Sequence, residues 1–176
     1  MATMILLPDD TGLSSSDWIA VGEGTRHECL DDDNDGTSYV KCNDDGAGMI
    51  IVFANPSVAE ADIDFSVAPS VRFLSSGKSV HRSDPSRVNI SFLEPTAGYS
   101  EIVSYDAHRT NYETINGTSR TTYDGTHPWA YSNLEDIEML CTKSAPIEVY
   151  LSYLAMEVTY TEAVSADNAT FFGANF

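Results

Sequence analysis

Hydrophobic and polar residues alternate along most of the chain. In "ADIDFSVAPSVRFL", Ile63, Phe65 and Val67 alternate with Asp62, Asp64 and Ser66, and Val71 and Phe73 resume the pattern after Pro69. In "RVNISFLEP", Val88, Ile90 and Phe92 alternate with Asn89, Ser91 and Leu93. Side chains two apart share one face of a strand, so this period predicts half-buried β-strands. "SEIVSYDA" and "RTTYDGT" read as further strands, and "GMIIVFANP" as a short apolar strand buried on both sides. In "IEVYLSYLAMEVTYTE", a strict period of two puts Tyr150, Leu154, Met156, Val158 and Tyr160 on one face. Val149, Leu151, Tyr153, Glu157 and Thr159 fall on the other, as in a central strand covered on both sides over its first half.

Turn signals such as "NDDGAG", "SSGK", "EPTAGY", "INGT" and "DGTHP" separate these runs. One helix is predicted in "SNLEDIEMLCTK", where Ser132 or Asn133 caps a segment carrying Leu134, Ile137 and Leu140 on one side. About eight to ten strands and one short helix predict an all-β fold, an antiparallel β-sandwich of jelly-roll type. Residues 1–162 read as a single domain, with 1–16 a candidate N-terminal arm. The tail 163–176 lacks a period but carries Phe171, Phe172 and Phe176. Aromatics on a free polar tail favour association, so the tail is expected to fold back on the body or to dock on a neighbouring chain.

Composition narrows the function. With 176 residues and 42% hydrophobic content the chain is expected to fold. Its 27 acids against 9 bases give a formal charge of −18. Such a surface repels nucleic acid and anionic membranes, which are bound through Lys and Arg. No apolar run approaches the ~20 residues of a transmembrane helix. "MATMILLPDDTG" has no basic region before its apolar patch and is not expected to be a secretory signal. Cys29, Cys42 and Cys141 are odd in number with no C-x-x-C pair, the pattern of reduced thiols in a protein made in a cytoplasm. The sequons at Asn89, Asn116 and Asn168 are then chance matches.

Catalytic signatures are absent: there is no G-x-S-x-G, P-loop, H-E-x-x-H or C-x-x-C. "HECLD" puts Asp31 where a zincin needs its second histidine, and His27, His81, His108 and His127 are scattered. Asp62 and Asp64 alternate with core residues and are expected to face water, whereas a retaining glycosidase holds its carboxylates about 5–5.5 Å apart around a substrate. No enzyme activity and no cofactor are expected. Two binding sites are candidates. In "HPWAY", Trp129 and Tyr131 form a cluster able to stack on a sugar, or else the tryptophan plugs the end of the sandwich. In "DDDNDG", Asp31, Asp33, Asp35 and Gly36 match positions 1, 3, 5 and 6 of a calcium loop. Position 12 is Cys42 rather than a bidentate acid, and "TSYV" opens a strand where a helix should follow. The stretch is therefore either an acidic turn or a surface Ca2+ site.

The order of the pieces resembles a family. A short lead with Pro and Asp precedes Trp18 in "DWIAVGEG"; then come His27, the acids Asp31 to Asp33, and Thr37 to Val40. An alternating strand, Trp129 before Leu134 in "NLEDIEM", and a last strand through Glu157 to Tyr160 complete the series. Over roughly residues 1–162 this is similar to the small jelly-roll virion proteins of tailed bacteriophages, found as head decoration (cement) or tail-associated subunits. The resemblance implies a non-enzymatic subunit of the phage particle surface, made in the host cytoplasm. Its partners would be the major capsid protein and copies of itself, as a homotrimer. The alternative is a tail, receptor-binding or carbohydrate-binding β-sandwich protein.

Overall fold

The computed structural model describes residues 1–14, 17–22, 24–31, 37–79, 87–93, 100–106, 112–135, 137–144 and 148–164, with the backbone alone at 13–14, 87–93 and 100–106. Eleven strands are present among them. They are β1 (Ala2–Leu6), β2 (Pro8–Ser14), β3 (Trp18–Val21), β4 (Tyr39–Cys42), β5 (Gly48–Phe53) and β6 (Ser70–Ser79). There follow β7 (Arg87–Leu93), β8 (Ser100–Asp106), β9 (Glu113–Asn116), α1 (Tyr131–Leu134), β10 (Glu138–Ser144) and β11 (Val149–Tyr160). The predicted antiparallel β-sandwich with one short helix is the architecture observed.

One sheet runs β3-β4-β11-β6-β9, and the other β2-β5-β10-β7-β8. β6 pairs with β11 along nearly its whole length, from Val149 to Thr159. The opposite flank of β11 is divided: β4 takes Val149–Leu151, and β1 takes Met156–Tyr160. The six-stranded sheet sends Trp18, Val40, Phe73, Leu154, Met156 and Val158 into the core, and the other sheet sends Met49, Ile51, Phe53, Met139 and Cys141. Burying a large apolar side chain stabilises by about 1.5–3 kcal/mol, so this layer holds the sheets together.

β1 and β2 build residues 2–14 into the two sheets, where an arm over 1–16 was expected. Met4 and Leu6 are buried and β1 pairs with β11, while β2 pairs with β5. The alternation of Met4 and Leu6 with polar or exposed neighbours is already that of an edge strand. The strand expected at 62–67 is also absent. There Asp64 turns the chain, its Oδ1 accepting from Ser66 N at 2.9 Å and its carbonyl from Val67 N at 3.2 Å. Such side-chain capture of nearby amides competes with a sheet ladder. The strand begins only after Pro69.

"RTTYDGT" contributes two isolated bridges, Val71 with Arg120 and Thr122 with Pro128, around a tight turn. The expected helix shrinks to one turn. Asn133 caps it by accepting from Ala130 N at 3.0 Å, and Leu140 lies in β10 instead. Met139, Cys141 and Lys143 alternate as a strand pairing with β5, and that pairing overrides the 3.6-residue spacing. In β5 only Met49, Ile51 and Phe53 are buried, with Ile50 and Val52 half-covered. The three cysteines are buried and free. Among the described residues no helix is long and apolar enough to cross a membrane.

Candidate functional site on the outer face of the six-stranded sheet

The site originates in one irregularity of β11. Leu151 pairs with Gly77, but Tyr153 pairs with Ser76, so Ser152 is an extra residue in the ladder. A β-bulge shifts the inside-outside alternation by one. Val149 and Leu151 therefore point inward together with Leu154, Met156 and Val158, all essentially inaccessible to water. The strict period of two had set the first pair opposite the others. The consequence falls on Tyr150, which turns outward.

The register then assembles a row. Ile19 on β3 pairs with Lys41 on β4, Lys41 with Tyr150, and Tyr150 with Lys78 on β6. Tyr39 stands two residues before Lys41 and shares its face. The Tyr39 and Tyr150 rings meet edge to face, 5.1 Å apart at 62°. Such a pair contributes about 0.5–1.5 kcal/mol beyond its buried area. Tyr112, just before β9, lies under the Lys78 ammonium, whose Nζ is 4.3 Å from its ring centroid and 5.4 Å from that of Tyr150. A cation over an aromatic face is held by the ring quadrupole. Tyr153 emerges past the bulge beside Ser76.

Glu148 ties the row together. Its Oε2 accepts the Tyr150 phenol proton at 2.5 Å, and its Oε1 lies 3.7 Å from Lys41 Nζ. Burial, the bond to Glu148 and that carboxylate's charge push the Tyr150 phenol well above the ordinary tyrosine value, so it stays a neutral donor. The face thus offers half-buried aromatic surface, two ammonium groups and one carboxylate, on strands whose other side is fixed in the core. It holds no paired acids and no nucleophile with a base beside it among these residues. Such a face can stack on a ring and exchange hydrogen bonds through its polar groups.

A cleft of about 550 Å³ adjoins the row at Ile19 and is walled by Asp10, Thr11, Thr25, Arg26 and His27. Its polar groups engage one another. Thr25 Oγ1 is 3.2 Å from His27 Nδ1, Thr11 Oγ1 is 3.4 Å from the same nitrogen, and Arg26 Nε donates to Trp18 O at 2.5 Å. Thr25 N and Oγ1 both donate to Glu28 Oε2 at 2.7 Å, and these bonds lower the Glu28 carboxyl below its ordinary value.

The candidates from the sequence are dispersed. Trp129 is only 3% exposed, with Nε1 donating to Arg120 O at 3.1 Å. The Tyr131 hydroxyl donates to Val58 O at 3.0 Å. Trp129 belongs to the core and Tyr131 packs against it, so Trp129 offers no ring for stacking. Asp31 is half-buried, while Asp33 and Asp35 lie outside the described residues. Among the described residues no three His, Cys, Asp or Glu side chains are grouped as metal ligands. Phe171, Phe172 and Phe176, and likewise His81 and His108, lie outside the described residues. His127 is exposed, its Nδ1 2.6 Å from Asp124 Oδ2.

Sequence reasoning missed Tyr39, Lys41, Lys78, Tyr112, Glu148 and Tyr150. The alternation Tyr39-Val40-Lys41 carries part of the signal, since it sets an aromatic and a cation on one side of a strand.

No protein-family model matches the chain, and no characterised protein sequence does. Among solved structures, it is similar to the CBM22-1 xylan-binding domain of Paenibacillus barcinonensis Xyn10C, at 8% identity, 85% of this chain and 86% of that one, and TM-score 0.45. It is similar also to CBM35 from Cellvibrio japonicus Abf62, at 12% identity, 93% and 97% coverage, and TM-score 0.44. A third is the family 11 carbohydrate-binding module from Clostridium thermocellum in complex with a beta-1,3-1,4-mixed-linked tetrasaccharide, at 13% identity, 88% and 86% coverage, and TM-score 0.37. Likeness at this level assigns no ligand.

Proposed function

We propose that the chain is a carbohydrate-binding β-sandwich with no catalytic step of its own, and that the sugar lies on the outer face around Tyr150. One observation carries this: Tyr39, Tyr112 and Tyr150 are gathered with Lys41, Lys78 and Glu148 on one rigid, outward sheet face. A pyranose ring has an apolar C–H face and a rim of hydroxyls. Tyrosine rings match the first, and ammonium and carboxylate groups match the second, with few side chains to immobilise. Glu148 accepts from a hydroxyl as readily as it accepts from Tyr150, and each lysine donates.

The test is native gel electrophoresis through gels carrying neutral and acidic polysaccharides. Retardation by at least one is expected, and Tyr150→Ala, checked for an unchanged circular dichroism spectrum, should run at its unretarded position. Retardation by none of them, or equal retardation of the variant, would overturn the reading.

The virion-decoration reading remains a second proposal, with the major capsid protein and further copies of the chain as partners. The −18 charge and the exposed apolar residues Ile5 and Leu7 along the edge at β1 support it, since an apolar rim on an acidic subunit suits protein contact. Cosedimentation with phage heads tests it, and recovery of the chain free of heads and tails would remove it.

A further inference from the structure

We infer that the Tyr150 face selects sugars bearing a negative group, a carboxylate or a sulfate ester. The inference rests on the carbohydrate-binding reading and sharpens it. The chain has three lysines, Lys41, Lys78 and Lys143. Lys143 is buried, its Nζ donating to Asn43 O at 2.8 Å. Both of the others stand in the ladder row that contains Tyr150, one on each side of it. A chain with 27 acids therefore puts both of its accessible lysines at one spot. Scattered solubility charges would not pair so.

The two lysines are not equivalent. Lys41 is partly neutralised by Glu148 at 3.7 Å. Lys78 has no ion pair among the described residues and rests on the Tyr112 and Tyr150 rings, which hold an ammonium in place without cancelling its charge. A ligand anion meeting Lys78 gains a charge-assisted bond while its ring lies over the neighbouring tyrosine. The remaining negative charge does not forbid this. At 0.15 M salt, charges farther than about 8 Å are largely screened, so the local ammonium pair decides. The same global charge makes unspecific capture of polyanions unfavourable, which sharpens the expectation.

Calorimetric titration of the intact chain with trigalacturonate, a sulfated trisaccharide and neutral xylotriose tests the inference. An acidic sugar should bind about tenfold or more tightly than the neutral one, with affinity falling as salt rises. Lys78→Gln, which keeps length and removes charge, should abolish that preference by lowering acidic-sugar affinity to that for the neutral sugar. Which of the two acidic sugars binds identifies the anionic group. Neutral sugar bound as tightly as both acidic ones, or a preference untouched by Lys78→Gln, overturns the inference and leaves the carbohydrate reading standing. Silence with all three sugars, together with no retardation in any polysaccharide gel, overturns both.

Discussion

Deleting Ser152 tests the origin of the site. Without the extra residue, β11 must alternate strictly from Glu148 to Tyr160. The half of the strand before the deletion then turns over, because the half after it carries more core residues. Val149 and Leu151, both fully buried, would move to the outer face, and Tyr150 and Glu148 would move in. Exposing the two apolar side chains costs about 3–6 kcal/mol, from about 1.5–3 kcal/mol each. Drawing the Glu148 carboxylate inside adds to this. For a chain of this size each kcal/mol lowers the melting temperature by about 2–4 °C, so the deletion should lower it by at least ~6 °C, against a total stability of about 5–15 kcal/mol. Ser152→Ala is the companion. The Ser152 hydroxyl is buried with no hydrogen-bond partner among the described residues, and alanine keeps the bulge while removing it. That variant should melt at or above the parent temperature, because an unsatisfied buried hydroxyl is a cost. Differential scanning calorimetry reads both. A deletion variant melting within ~2 °C of the parent would refute the inversion of the strand.

Three further outcomes are expected. Gly22 has φ +109°, and a Cβ there would sit 2.4 Å from Thr37 O, so Gly22→Ala should cost about 1–3 kcal/mol in urea unfolding; an unchanged midpoint would count against this turn. Trp18 and Trp129 are 0% and 3% exposed, so tryptophan emission should resist acrylamide and stay unchanged when a sugar binds; ligand-dependent quenching would return Trp129 to the site. The Asp124 carboxyl, held down to about 2 by bonds from His127 N, the His127 ring and Thr126 N, should titrate there by NMR. Because its folded value lies below the unfolded one, its contribution is complete above the ordinary Asp range and is lost as pH falls toward 2. A midpoint near 4 would contradict the turn.

Most of the sandwich was legible because its strands follow the period of two. β6, β7 and β8 lie where that alternation was read. The failures share a cause: local chemistry interrupting the pattern. Asp64 captures the amides of Ser66 and Val67 and stops a strand that alternation alone would allow. Asp124 does the same at Thr126 and His127. The candidate site was hidden by the bulge. A single extra residue reverses which side chains face water, and no composition or spacing rule locates it within "VYLSYLAM". Lys41, Tyr150 and Lys78 are also distant in sequence, so only strand register brings them together. The tryptophan of "HPWAY" misled for the opposite reason, since a large aromatic next to a turn packs into the core as easily as it presents a ring.

The most direct measurement is an NMR titration of the isotopically labelled chain with a sugar that retards it in gels. Shifts should concentrate at Ile19, Tyr39, Lys41, Lys78 and Tyr150, on one face of one sheet. Shifts centred on Trp129 and Tyr131, or on the five-stranded sheet, would contradict the account.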